Sequence, residues 1–399
     1  MMMLLALIAC LPTDESVIEP TSLVIPLRWT ESPGGLSWEQ AETGLAWSLT
    51  NLGALPPLDG WLSINESEGD TVFFELNLAQ AGFAPQAEAA LRAAITPLQT
   101  SDELAVLGSV DVGRLLMRTV YAPWRYYSIT GACADLSGWE SLAASEAVEQ
   151  YGVTRSLLTT DERLITLNAG PWQDVSEIAF STRSGLGVLR DPSASEEVEV
   201  IDLMGNGQQR YAVFDAQGQL SPAADPAVIL AGQPGKCMWC HEGALMTGTP
   251  TNPTTRPHLS YPEWGARMSQ MQALQDAHRQ ALVTAADFTD RQAHTDGELL
   301  VREFLLPTPA RVQREWDVTA AELSEILNNY SVEETLDDEY PSRGPVLLRS
   351  DLDDVYAAEL APPGYEALVI LPDDRAAPED LKGLEGEADF AALPRCWRP

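Results

Sequence analysis

EVEVIDLMGNGQQRYAVFD, residues 197–215, is the stretch whose reading decides the fold. Acidic and apolar side chains alternate from Glu197 to Leu203, then Gly205, Asn206 and Gly207 supply turn chemistry, and alternation resumes from Arg210 to Asp215. A period of two puts every second side chain on one sheet face, so the stretch reads as a β-hairpin. Gly218 closes a second turn, and Pro222 and Pro226 mark a boundary after it. Upstream, Thr71 to Leu78 is β-branched and aromatic and reads as a further strand.

Helical signals lie on both sides. Ser37 and Gln40 form a capping box ahead of Trp38, Ala41, Leu45 and Leu49, which share a face until Gly53, Pro56 and Pro57 stop the helix. A second helix is expected from Pro85 to about Ile95. Residues 105–130 are rich in Val, Leu, Tyr and Trp with few breakers, a mixture that admits either strands or a buried helix. After a Thr, Pro, Asn and Gly loop at 247–257, Ser260 and Glu263 open a helix carrying Trp264, Met268, Met271, Leu274 and His278. Thr319 and Glu322 open another, with Leu323, Ile326 and Leu327 inward. A short strand, Ala367 to Leu371, is expected near the end. The class is therefore α+β, with a β-containing N-terminal region followed by a mainly helical segment, and no internal repeat is visible.

The net charge is -35, with 59 acidic residues against 24 Lys and Arg. A field of that sign excludes nucleic acid as an expected partner and favours a basic protein. Residues 1–10, MMMLLALIAC, are apolar up to a cysteine and turn polar at once. A spanning helix needs about 20 apolar residues, so this run is an export signal. The tetrad Leu7, Ile8, Ala9 and Cys10 resembles the lipobox of bacterial lipoproteins. That resemblance implies lipidation at Cys10, a membrane partner through the lipid anchor and, from Leu11, the outer membrane. Residues 11–24 then read as a tether.

Cys237, Met238, Trp239, Cys240 and His241 form Cys-x-x-Cys-His. Two thiols at this spacing reach the two vinyl groups on one porphyrin edge, while the adjacent imidazole turns under the iron. The motif resembles the attachment site of c-type cytochromes, which implies one covalent haem c bound through Cys237, Cys240 and His241. A thioredoxin-like pair would need a preceding strand, which Pro234, Gly235 and Lys236 do not provide. A zinc site would need a second ligand pair that the sequence lacks. The resemblance also implies a sixth ligand some tens of residues later, with Met268 first and Met271, His258, His278 and His294 as alternatives. Met246 is nearer than such a ligand usually lies. Arg256 and Arg267 are candidates for haem propionates, and Trp239 and Trp264 for the porphyrin edge, each with ordinary packing or surface roles as the alternative. Asp351, Asp353 and Asp354 resemble a calcium loop but lack its glycine and terminal Glu, and read as a solvated face. Cys133 and Cys396 remain as a possible disulfide.

These readings divide the chain into a signal peptide at 1–10, the tether, a β-containing domain at 25–225, a helical, cytochrome c-like haem segment at 226–330, and a tail at 331–399 packing back on the core. The expected function is electron transfer by a membrane-anchored monohaem cytochrome, handing electrons to a redox protein partner. The alternatives are a haem enzyme with an open sixth position, acting on peroxide or a nitrogen compound, and a structural outer-membrane lipoprotein without haem.

Overall fold

The computed structural model describes residues 23–143, 147–154, 162–221, 237, 241, 258–337, 340–368 and 396–397. The signal peptide, Cys10, nearly all of the tether, Trp239, Cys240, Met246 and Arg256 lie outside the described residues.

Strand β1 (Val24–Thr30) buries Ile25, Leu27 and Trp29 on one face. It pairs antiparallel with β3 (Thr71–Asn77) and parallel with the two-residue β4 (Val110–Asp111), while β2 (Leu62–Glu68) closes the other edge in the order β2-β3-β1-β4. Helix α1 (Trp38–Thr50) opens on the Ser37–Gln40 capping box, with Ala41, Leu45 and Leu49 buried. A short turn at Pro85–Ala87 leads into α2 (Glu88–Gln99), followed by α3 (Asp102–Leu107). The ambiguous stretch resolves into β4 and two helices, α4 (Val112–Thr119) and α5 (Pro123–Thr130). Both are buried on most sides. Helix α6 (Leu136–Leu142) follows.

The second sheet is an antiparallel meander of β5 (Val148–Val153), β6 (Arg163–Asn168), β7 (Ala179–Ser184), β8 (Glu197–Leu203), β9 (Gln209–Asp215) and β10 (Leu220–Ser221). The hairpin of 197–215 is its β8–β9 pair, with Val198 opposite Phe214 and Val200 opposite Ala212. Gly207, at φ 78, makes the turn that an L side chain rarely adopts. Asn206 anchors that turn by donating to the carbonyls of Thr50 and Ala54, so the hairpin tip is fastened to the end of α1.

The sheet is covered on both sides. Val198, Val200, Ala212 and Phe214 join the main core with Tyr126 and Tyr127 of α5. Tyr151, Leu167, Phe180 and Leu203 face α7 (Tyr261–Ala281), which contributes Trp264, Met268 and Met271. The next helix, α8 (Arg291–Leu305), packs against α1 and α4 of the first half. At its crossing with α1, a Cβ on Gly44 would stand 2.6 Å from the backbone of Asp296 and Gly297, so only glycine permits that approach. Of the helices in 226–330, α7 covers the six-stranded sheet while α8 packs on α1 and α4. Helices α9 (Pro309–Trp316) and α10 (Ala320–Asn329) follow, then a two-stranded ribbon of β11 (Thr335–Leu336) and β12 (Pro345–Val346), and α11 (Arg349–Glu359). Ala367 and Leu368 carry no regular structure, and the rest of the expected last strand lies outside the described residues.

Buried charge joins these parts. Arg114 of α4 reaches Glu103 at 2.6 Å and Asp353 at 2.6 Å, and Arg311 of α9 reaches Asp111 at 3.0 Å and Glu315 at 2.6 Å. Arg349 also takes Glu315 at 2.7 Å. Burial alone would raise the Glu315 carboxyl, but Arg349 and Arg311 hold it down at about 2. The run Asp351, Asp353 and Asp354 lies on α11. Asp351 and Asp354 are exposed, whereas Asp353 turns inward onto Arg114, which corrects its reading as part of a solvated face.

Candidate haem attachment site

Cys237 and His241 both stand in helical backbone, four residues apart in sequence. Cys237 is half-buried and packs against the main core. That core also holds Tyr126 and Tyr127 of α5. Burial pushes these two phenols far above the ordinary tyrosine range, and Cys237 adds to the rise, so they stay protonated. Their hydroxyls are tied to the sheet. The Tyr126 Oη accepts from the backbone N–H of Tyr211 at 3.1 Å, and the Tyr127 hydroxyl donates to the Ser221 carbonyl at 2.8 Å.

The His241 ring packs beside Tyr211 of β9, with centroids 5.7 Å apart and planes at 46°. Tyr211 is itself held: its hydroxyl donates to Gln209 Oε1 at 3.0 Å, and both residues are buried. The neighbouring Arg210 points to the other sheet face. Its guanidinium grips Asp202 at 2.8 and 2.6 Å and donates to the carbonyls of Thr130, Gly131 and Trp397. Trp397 is brought there by the Cys133–Cys396 disulfide, whose Cα atoms are 4.4 Å apart. The chain end is thereby fastened to the end of α5, the helix that carries the two tyrosines beside Cys237.

No family model, curated protein or solved structure matches this chain. Its chemistry has to be read from its own donors. Among the described residues there is no group of three or more His, Cys, Asp or Glu side chains that could hold a metal ion. A zinc site needs such a group, but a c-type haem does not. It needs thiols and one imidazole on a short helical stretch. Cys237 and His241 supply one thiol and the imidazole of such a set, and Cys240 lies outside the described residues.

The other expected residues are dispersed. Met268 and Met271 are 3% and 1% exposed, within the layer between α7 and the six-stranded sheet. Trp264 stacks on Tyr151 in the same layer, with centroids 4.8 Å apart. His258 is half-buried just ahead of Leu259, whose N–H donates to Gln150 on β5. His278 sits against the hairpin tip, 2.8 Å from the Gly205 carbonyl, and the His294 ring packs 4.7 Å from Trp47 of α1. Arg267 forms a two-pronged pair with Glu149 at 2.7 and 2.8 Å, so its reading as a lone surface arginine or propionate partner gives way to a bridge between α7 and β5. The three tyrosines around the attachment residues were missed by sequence reasoning. Tyr126 and Tyr127 left a trace only in the aromatic density of residues 121–127, and Tyr211 only as an apolar position of the 197–215 hairpin.

Proposed function

We propose that this protein is an exported, lipid-anchored monohaem c-type cytochrome that transfers electrons. The observation carrying this reading is the placement of Cys237, packed on the core that also holds Tyr126 and Tyr127, and of His241, four residues on, beside Tyr211. Haem c would supply a one-electron iron centre. Cys237 and His241, with Cys240 between them in the motif, would hold it covalently and ligate its iron. The chain's own contribution is enclosure. Tyr126, Tyr127 and Tyr211 offer aromatic surface whose hydroxyls are already satisfied, which lowers the local polarity. The acidic surface favours a basic redox partner.

A reduced-minus-oxidised visible spectrum of the mature protein, made with haem-ligation machinery, tests the reading. A c-type α-band that remains with the polypeptide in acidified organic solvent is expected, and a colourless protein would sink it. A second reading, haem with an open sixth position, is favoured by the burial of both candidate methionines. Drawing Met268 out to an iron would leave a cavity costing roughly 2–5 kcal/mol. Ready carbon monoxide binding by the ferrous protein supports the open position, and no binding supports a six-coordinate carrier.

A further inference from the structure

We infer that Tyr211 is the positioning residue for the His241 imidazole, fixing the plane of the ring that would ligate the iron; this rests on the haem reading above. The last torsion of a histidine side chain is broad and nearly two-fold, so the residue does not set its own ring plane. Something outside it must. Here the Tyr211 ring stands 5.7 Å from the imidazole centroid at 46°.

Three features make that ring a rigid wall. Its backbone belongs to a paired strand, opposite Ile201 of β8. Its own N–H donates to the buried Tyr126 hydroxyl at 3.1 Å. Its hydroxyl donates to Gln209 Oε1 at 3.0 Å, and Gln209 is fully enclosed. A side chain fixed at the backbone and at the tip cannot yield to its neighbour. The strand therefore sets the Tyr211 ring, and the ring sets the imidazole. The aromatic surface is what matters, more than the hydroxyl. The hydroxyl only pins the ring, which close packing also restrains.

The g values of a ferric haem report the orientation of its axial imidazole, so they measure this role directly. The experiment compares purified wild type, Tyr211→Phe and Tyr211→Leu by pyridine haemochrome content, ferric EPR and reduction potential. Tyr211→Phe should match the wild type in all three. Tyr211→Leu should keep covalent haem while its g values shift and broaden and its potential moves. Superimposable spectra for all three proteins overturn the inference and leave the haem reading standing. A shift as large in Tyr211→Phe as in Tyr211→Leu overturns it as well, because the hydroxyl would then be responsible. Wild type without covalent pigment overturns the haem reading and the inference together. Should Tyr211→Leu fail to accumulate, Tyr211→Met, flexible and of similar length, takes its place with the same expected shift.

Discussion

Arg210 shows how much structure one side chain can hold. It neutralises Asp202, and both side chains are nearly fully buried. It also satisfies three carbonyls, on Thr130, Gly131 and Trp397. Removing one member of such a pair leaves a buried charge with no compensation, a larger effect than losing the contact itself. Arg210→Met should therefore cost about 3–5 kcal/mol in urea unfolding. Replacing Asp202 by Leu in the same background should recover a good part of that, since two apolar groups need no counter-charge. Glu315 gives a pH prediction of definite sign. Its folded value of about 2 lies below the ordinary 4.5, so its stabilisation is present above pH 4.5 and is lost as pH falls toward 2. Burial holds Glu303 and Asp353 above their ordinary values, and these two act in the opposite sense. Glu315→Gln should flatten the acid limb of a stability-against-pH curve between about 4.5 and 2. An unchanged limb would show that the Arg311 and Arg349 contacts do not persist in solution.

At the scale of elements, what could be read from the sequence was what is local. The three capping boxes at Ser37, Ser260 and Thr319 all stand where their spacing put them, because the hydrogen bonds involved reach only three residues. The hairpin was legible for the same reason. Helices α4 and α5 were not, since each is only eight residues long, too short for its period to separate a helix from a strand. The Arg114–Asp353 and Arg311–Asp111 pairs were invisible because their members lie 239 and 200 positions apart in sequence. The Cys-x-x-Cys-His motif was plain, whereas the tyrosines near Cys237 and His241 come from two distant elements, α5 and β9. Two tests belong here. Gly44→Ala places a methyl against the α8 backbone and should destabilise by about 1–3 kcal/mol, seen as a lower thermal midpoint. Met268→Ala should cost roughly 2–5 kcal/mol through its cavity under α7. If Met268 were also the sixth ligand, the same variant would lose the ligand-to-iron absorption near the red edge of the ferric spectrum. If that spectrum is unchanged, Met268 is core alone.

Across the whole molecule, the arginines are distributed in a way that sharpens the effect of net charge. Arg114, Arg210, Arg279, Arg302, Arg311 and Arg349 are all buried, a quarter of the 24 cationic residues. Arg114, Arg210, Arg302, Arg311 and Arg349 pair with interior carboxylates and Arg279 with the Gly207 carbonyl and Gln208, and together they leave the outside with few cations to set against its acids. The surface is therefore more uniformly acidic than mixed composition suggests, and like charges repel across it. Such repulsion is felt over about 30 Å at 0.01 M salt and about 8 Å at 0.15 M. Thermal stability should consequently rise with sodium chloride over that range. The association rate with a basic redox protein should fall over the same range, because screening removes the steering that a negative surface gives. Opposing trends from one titration distinguish surface electrostatics from a general effect of salt on folding, which would move both in the same direction. The Cys133–Cys396 bond sets the background for that measurement. It closes a sequence separation of 263 residues and contributes on the order of 5 kcal/mol in the chain-entropy limit. The salt titration is therefore run twice, oxidised and reduced. The reduced protein should unfold at lower temperature throughout yet show a salt dependence of the same sign, since the disulfide constrains the chain and leaves its charges where they are.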